Sequence, residues 1–220
     1  LSIVVVTPPA TSVVSPADVR TALGLDATAA PDAQLTPLIA AATQEFDGPD
    51  GMLRRTLLPT TYDLFLEPRT WRAARARPLY PAPIDIPLPP LRSSPAPILY
   101  WIDRDGTETV LNVSTYRIVP GTPATVLPIW AWGWFSLWHG FRLRYAAGYD
   151  TPADVPQPIR QAIILRVGQL RSMGGRADPL LKQDSVIGVS TRQWETQTDI
   201  NAQTDRAILN LVRNYVVPLL

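Results

Sequence analysis

At 220 residues the chain is long enough for one domain, or one domain with an elaboration, that buries roughly 70% of its unfolded surface. It has no cysteine, which excludes a disulfide framework and thiolate chemistry and fits a reducing cytoplasm. Its 20 Lys+Arg nearly balance 19 Asp+Glu, so bulk charge does not mark a nucleic-acid binder.

Proline is the compositional outlier: 24 of 220 residues is twice the usual share of about 5%. The prolines lie between periodic segments, which predicts short elements joined by stiff connectors. No secretory leader is visible, since Ile3-Val4-Val5-Val6 is short and lacks a basic flank. The run from Ile118 to Phe141 carries no Asp, Glu, Lys or Arg, but Pro120, Pro123, Pro128, Gly121, Gly133 and Gly140 interrupt it. A spanning segment must satisfy its own backbone as helix, so the chain is expected to be soluble, with no membrane partner.

In chain order, residues 1–14 alternate short β-prone runs with Thr7-Pro8-Pro9 and read as an extended N-terminal arm. Ser15-Pro16-Ala17-Asp18 is a helix start, with Ser as N-cap, Pro at N1 and an acid in the first turn. That helix ends near Gly24. A second runs from about Pro31-Asp32 through Leu35, Leu38, Ile39, Ala42 and Phe46, and Pro37 either delays its start or kinks it. The period then changes from 3.6 to 2. Tyr62, Leu64 and Leu66 share one side of a strand, and residues 98–102 and 107–111 flank Asp103-Arg104-Asp105-Gly106 as a β-hairpin. Residues 116–119 and 141–145 add two strands, and the Arg-rich stretch 69–83 reads as a surface loop.

The most regular segment is Val155–Met173. Pro158 is placed as its first helical residue, Ile159, Ile163, Val167, Leu170 and Met173 form one apolar stripe, and Gly174-Gly175 stops it. A helix of this length is marginal alone in water and must be packed by the rest of the chain. Residues 176–201 read as a loop. A last helix over about 202–215 puts Ile208, Leu211, Val212 and Tyr215 on one face. The expected fold class is α+β: a helical core (15–58 and 152–175, about four helices with the C-terminal one) and an antiparallel β-rich insertion (59–151) between the second and third main helices, followed by a C-terminal helix and tail (202–220).

The search for chemistry points away from an enzyme, a metal or a cofactor. His139 is the single histidine, which excludes a His/Cys metal cluster and a histidine-based triad. Asp103-Arg104-Asp105-Gly106 resembles the start of a calcium loop, but the third acid is missing and Arg104 puts a cation inside it, so the hairpin turn is preferred. No glycine-rich phosphate loop precedes a Lys, and Glu45, Asp47 and Asp50 sit at a helix end and turn. Trp130, Trp132, Trp134 and Trp138 carry about 800 Å² at roughly 200 Å² each, more than a monomer usually exposes. They read as core, subunit interface or a ligand platform such as a glycan site. Arg160, Arg166, Arg171 and Arg176 read either as a solvated helix face or as a basic surface toward an acidic partner or passing DNA.

The order of TPPA, SPADVRTALGL, DAQLTPLIAAAT, TYDLFL, IDIPLPPL, ILYWIDRDG, YRIV, RLRYAAGY and VPQPIRQAIILRVGQL resembles the bacteriophage head–tail connector family, the adaptor or head-completion proteins of long-tailed phages and gene transfer agents. The resemblance covers most of residues 7–173, and the last helix matches more loosely. It implies a homo-oligomeric ring of twelve copies in the virion neck, assembled in the bacterial host cytoplasm. Such a ring docks beneath the portal protein, continues the channel for double-stranded DNA and receives a stopper or tail component. It also implies a chain terminus that reaches into the portal, here Leu211, Val212, Arg213, Tyr215, Leu219 and Leu220. The rival readings are a stopper or tail-completion protein, and a glycan-binding virion module built on the tryptophans.

Overall fold

The structure, a computed structural model, describes residues 2–66, 83–103, 105–129, 140–174, 183–186, 190–193 and 197–218. The elements in order are β1 (Ser2–Thr7), α1 (Pro16–Leu23), α2 (Asp32–Phe46), β2 (Thr60–Leu66), β3 (Ile84–Ile86), β4 (Ile98–Ile102), β5 (Glu108–Val110), β6 (Tyr116–Val119), β7 (Ala124–Pro128), β8 (Gly140–Ala147), α3 (Gln157–Gly174), β9 (Gln183–Val186), β10 (Ser190–Gln193) and α4 (Gln197–Val212). The class is α+β. The chain divides into two compact units, one of Ser12–Phe46 with Val155–Val216 and one of Leu1–Thr11, Asp47–Asp154 and Val217–Leu220.

In the helical unit, α1 begins as its sequence dictates. The Ser15 hydroxyl accepts from the Asp18 N–H at 3.1 Å and the Asp18 carboxylate accepts from the Ser15 N–H at 3.1 Å, which satisfies two orphan donors reciprocally. Gly24 closes the helix in the left-handed region at φ 62°. Helix α2 starts at Asp32 and continues through Pro37, burying Leu35, Ile39, Ala42 and Phe46. Helix α3 contacts α1, α2 and α4. Its first residue is Gln157, one before Pro158, a position where the missing N–H still costs nothing. Ile159, Ile163 and Val167 are fully buried as the stripe required, and Ala162 and Ile164 are buried beside them, because a helix with three helical neighbours needs more than one apolar stripe. Helix α4 starts at Gln197, ahead of the expected 202, and buries Ile208 and Val212. Within the stretch expected to be loop, β9 and β10 pair as an antiparallel hairpin.

The other unit holds a five-stranded antiparallel sheet in the order β1-β2-β8-β4-β5 and a three-stranded sheet in the order β3-β7-β6. Alternation on β2 and β8 aims Tyr62, Leu64 and Leu66 with Phe141, Leu143 and Tyr145 at one face. They meet Ile84, Ile86, Tyr116, Ala124 and Val126 of the smaller sheet in one buried cluster. The Tyr62 and Tyr145 rings stack at 5.6 Å between centroids, and Trp101 meets Phe141 edge-on at 5.4 Å. Strand β1 comes from the stretch read as an arm and pairs along β2, with a register shift between Val5 and Thr7. The hairpin β4–β5 turns at Gly106, whose φ of 81° suits glycine. Strands β3 and β7 had no expected counterpart, being short and flanked by prolines.

Candidate functional site

The outer face of the five-stranded sheet is organised by charge. The register sets Asp63 opposite Arg144 and sets Arg142 between Phe65 and Tyr100, so these side chains leave the face opposite to the apolar cluster. Arg142 donates through Nε to Glu108 at 2.8 Å, through Nη2 to the other Glu108 oxygen, and through Nη1 to Asp63 at 3.1 Å. Arg144 donates to both oxygens of Asp63, at 2.8 and 2.7 Å. The Arg142 guanidinium also lies 3.9 Å from the Tyr100 ring centroid, so its flat side is covered as well. Its side chain is 8% exposed and that of Asp63 10%.

The network settles its own protonation. The Arg144 hydrogen bonds hold the Asp63 carboxyl below the ordinary carboxylate range. Arg142 does the same to Glu108, whose hydrogen bond in turn raises the Arg142 guanidinium. Every member is therefore charged at neutral pH and none is poised to exchange a proton, so the cluster stiffens four strands and does not act as an acid–base pair. The sequence carried its parts in TYDLFL and RLRYAAGY, where alternation placed Asp63, Arg142 and Arg144 outward; their meeting depends on a register that no local pattern encodes.

A cleft of about 430 Å³ opens where residues 90–94 meet residues 148–154. Arg92 reaches Asp150 at 2.8 Å, and Asp154 accepts from the Thr151 N–H and hydroxyl at 2.9 and 2.7 Å. The cleft wall is stitched by backbone bonds, from the Arg92 N–H to the Ala146 carbonyl and from the Gly148 N–H to the Pro90 carbonyl, each 2.9 Å. Asp150 thus takes the charge of Arg92, whose Nη1 is buried with no hydrogen-bond partner among the described residues, and Asp154 is held by uncharged donors. No group of three or more His, Cys, Asp or Glu among the described residues is placed to hold a metal ion. No helix among the described residues is long and apolar enough to cross a membrane.

The residues singled out from the sequence fall in separate places. Arg166 donates to Glu45 at 2.6 Å, to Gln169 at 2.6 Å and to Asp205 at 3.3 Å, and so ties α2, α3 and α4 together. Arg160 lies 3.8 Å from Asp18 of α1, and Arg171 donates to the Ala29 carbonyl at 3.0 Å. Arg176, the four tryptophans at 130, 132, 134 and 138, His139, Leu219 and Leu220 lie outside the described residues. Of the C-terminal set, Val212 is buried, Leu211 and Tyr215 are half-buried and Arg213 is exposed. Val217 is buried too, and its N–H donates to the Leu53 carbonyl at 3.1 Å. Leu209, not singled out from the sequence, is 51% exposed one turn before Arg213. Of the acids considered for acid–base work, Glu45 holds Arg166, and Asp47, whose pKa is pushed up by burial, accepts from the Leu57 N–H at 2.8 Å.

No family model matches the sequence, and no curated protein matches it. Solved structures do match in fold. A chain from the neck of an empty gene transfer agent (GTA) particle, computed with C6 symmetry, superposes with a TM-score of 0.63 at 18% identity, covering 100% of this chain and 97% of that one. A chain from the virion of a native GTA particle gives 0.65 at 16% identity with the same coverage. One from the neck of a native GTA particle, computed with C12 symmetry, gives 0.60 at 16% identity over 99% of this chain and 97% of that one. From end to end, the chain has the fold of a protein built into the neck and virion structures of gene transfer agent particles.

Proposed function

We propose that the chain is a structural subunit of the neck of a phage-like particle, a ring-forming adaptor between the portal and the tail. The observation that carries this reading is the whole-length likeness to chains of GTA necks. The C6 and C12 symmetries of those necks support a closed ring of identical copies, for which heterologous subunit contacts are the natural geometry. The internal charge networks suit stiff units. Arg142 locks four strands and Arg166 locks three helices, so each unit presents a fixed surface to its neighbours. The role is geometric and needs no reaction.

Within this reading, the end of α4 and the residues after it meet the portal. Leu209 and Arg213, one turn apart and exposed, are the contacts proposed from the described residues, with Leu219 and Leu220 beyond them. Arg166 fastens the helices, while Arg160, Arg171 and Arg176 are the proposed lining for DNA that passes without sequence recognition. The buried Val217 anchors the tail, so the sharper test spares it. The double variant Leu209→Asp with Arg213→Glu should weaken binding to the cognate portal ring by more than about tenfold while leaving the thermal midpoint unchanged. Undiminished binding by the folded variant would contradict the portal assignment and favour a stopper or tail-completion position.

A further inference from the structure

The exposed apolar residues of the β unit are not scattered. Among the described residues, Val4, Val5 and Val6 are 47%, 48% and 42% exposed on β1, one edge of the five-stranded sheet. Val110 is 58% exposed on β5, the opposite edge strand, and Val113 and Ile129 are 73% and 55% exposed on the short turn after it and just past β7 of the smaller sheet. The Ile129 N–H donates to the Thr115 carbonyl at 2.9 Å, which brings the end of β7 beside that turn and gathers the second group. Of the inner strands, β2 and β8 carry no large hydrophobic residue of comparable exposure, and β4 carries one, Ile98 at its first position, at 37%.

An edge strand is ordinarily guarded by charge, by proline or by a cover, because its free N–H and C=O groups template pairing with another chain. Residues 2–6 have neither charge nor proline, and among the described residues the one guard is the register shift after Val5. A segment of this composition left bare would invite uncontrolled pairing. Each group offers on the order of 200 Å² of apolar surface, the right size for the apolar centre of an interface that covers about 800 Å² on each partner.

We infer that the two groups are the two halves of one contact: the β1 edge of one copy seats against the Val110–Val113–Ile129 surface of the next copy. This rests on the ring reading above. The occupant is a second copy of this chain because the two patches are different and are built on the two opposite edge strands of one sheet, β1 and β5 with the turn that follows it. A contact between unlike patches is heterologous, repeats head to tail and closes into a ring, as in the cyclic symmetry of the neck structures that share this fold. Pairing of β1 with another β1 would be isologous, would stop at a two-fold dimer and would leave the second patch bare.

The absence of native cysteine allows a direct test. Val5→Cys and Val113→Cys are introduced singly and together, necks are purified from particles assembled with each variant, and a short bismaleimide is added. The double variant should give a ladder of covalent multimers that ends at the closed ring, and each single variant should give monomer only. Dimers from Val5→Cys alone would overturn the head-to-tail contact in favour of two-fold β1 pairing. A neck that contains the double variant in its normal copy number but yields no multimers would overturn this contact and leave the ring standing. A single copy per neck would overturn both this contact and the ring reading.

Discussion

Replacing Gly148 by alanine is expected to destabilise the chain by about 3 kcal/mol or more, a large part of the 5–15 kcal/mol that holds a typical domain folded. Gly148 follows β8 at φ 109°, a conformation L side chains rarely adopt. A Cβ there would lie 2.3 Å from the Leu58 carbonyl oxygen and 2.4 Å from its carbon, so the backbone of residue 58 would have to move. It is not free to do so. The Tyr149 N–H donates to the Leu57 carbonyl and the Gly148 N–H to that of Pro90, and this turn holds both sides of the cleft in register. Gly106, at φ 81° with nothing within 4 Å, is the control, and Gly106→Asn should cost less than about 1 kcal/mol. Urea unfolding of the two variants checks the contrast; a Gly148→Ala chain within about 1 kcal/mol of the parent would contradict the close approach.

The second large effect is expected at Arg142. Arg142→Met keeps the length of the side chain and its contact with Tyr100 but leaves Glu108 without its partner and Asp63 with Arg144 alone. Removing one member of a buried ion pair costs about 3 kcal/mol when, as here, part of the network survives. The pH dependence separates lost charge from lost packing. Asp63 and Glu108 are both held below their ordinary values of 3.8 and 4.5. A carboxylate with a depressed folded-state pKa contributes stability that is present above its unfolded value and lost as pH falls through the folded one. The parent should therefore lose stability as pH drops below about 4.5, and Arg142→Met should lose less over the same window. Equal stability at pH 7 together with an unchanged acid slope would show that the guanidinium holds nothing together.

What could be read in the sequence was whatever has a local cause. Ser15, Pro16, Asp18 and Gly24 fixed both ends of α1 through groups within four residues of one another. The stripe Ile159, Ile163, Val167 fixed the buried side of α3, and the Gly106 turn fixed the hairpin. What was not legible depends on pairings between distant segments. Nothing near Ser2–Thr7 says that it completes a sheet with residues 60–66, and nothing in RLRY says that Arg142 meets residues 63 and 108. The helix arginines illustrate the same limit. Spacing put them on one polar face, but only the packed structure places Glu45 and Asp205 against Arg166 and Asp18 near Arg160, so part of the charge that looked available to a partner, that of Arg166 above all, is met inside the chain. The exposed leucine of α4 was hidden for the opposite reason: at residue 209 it sits beside an apolar stripe and looks like part of it, yet half of it faces outward.

The most direct test of the central claim is the mass of the chain with its cognate portal ring, measured by native mass spectrometry. Saturating addition should raise the mass of the portal by twelve copies of a 24.2 kDa chain, about 290 kDa, with no intermediate stoichiometry stable at the end point. A folded chain that leaves the portal mass unchanged at every ratio would contradict the adaptor assignment.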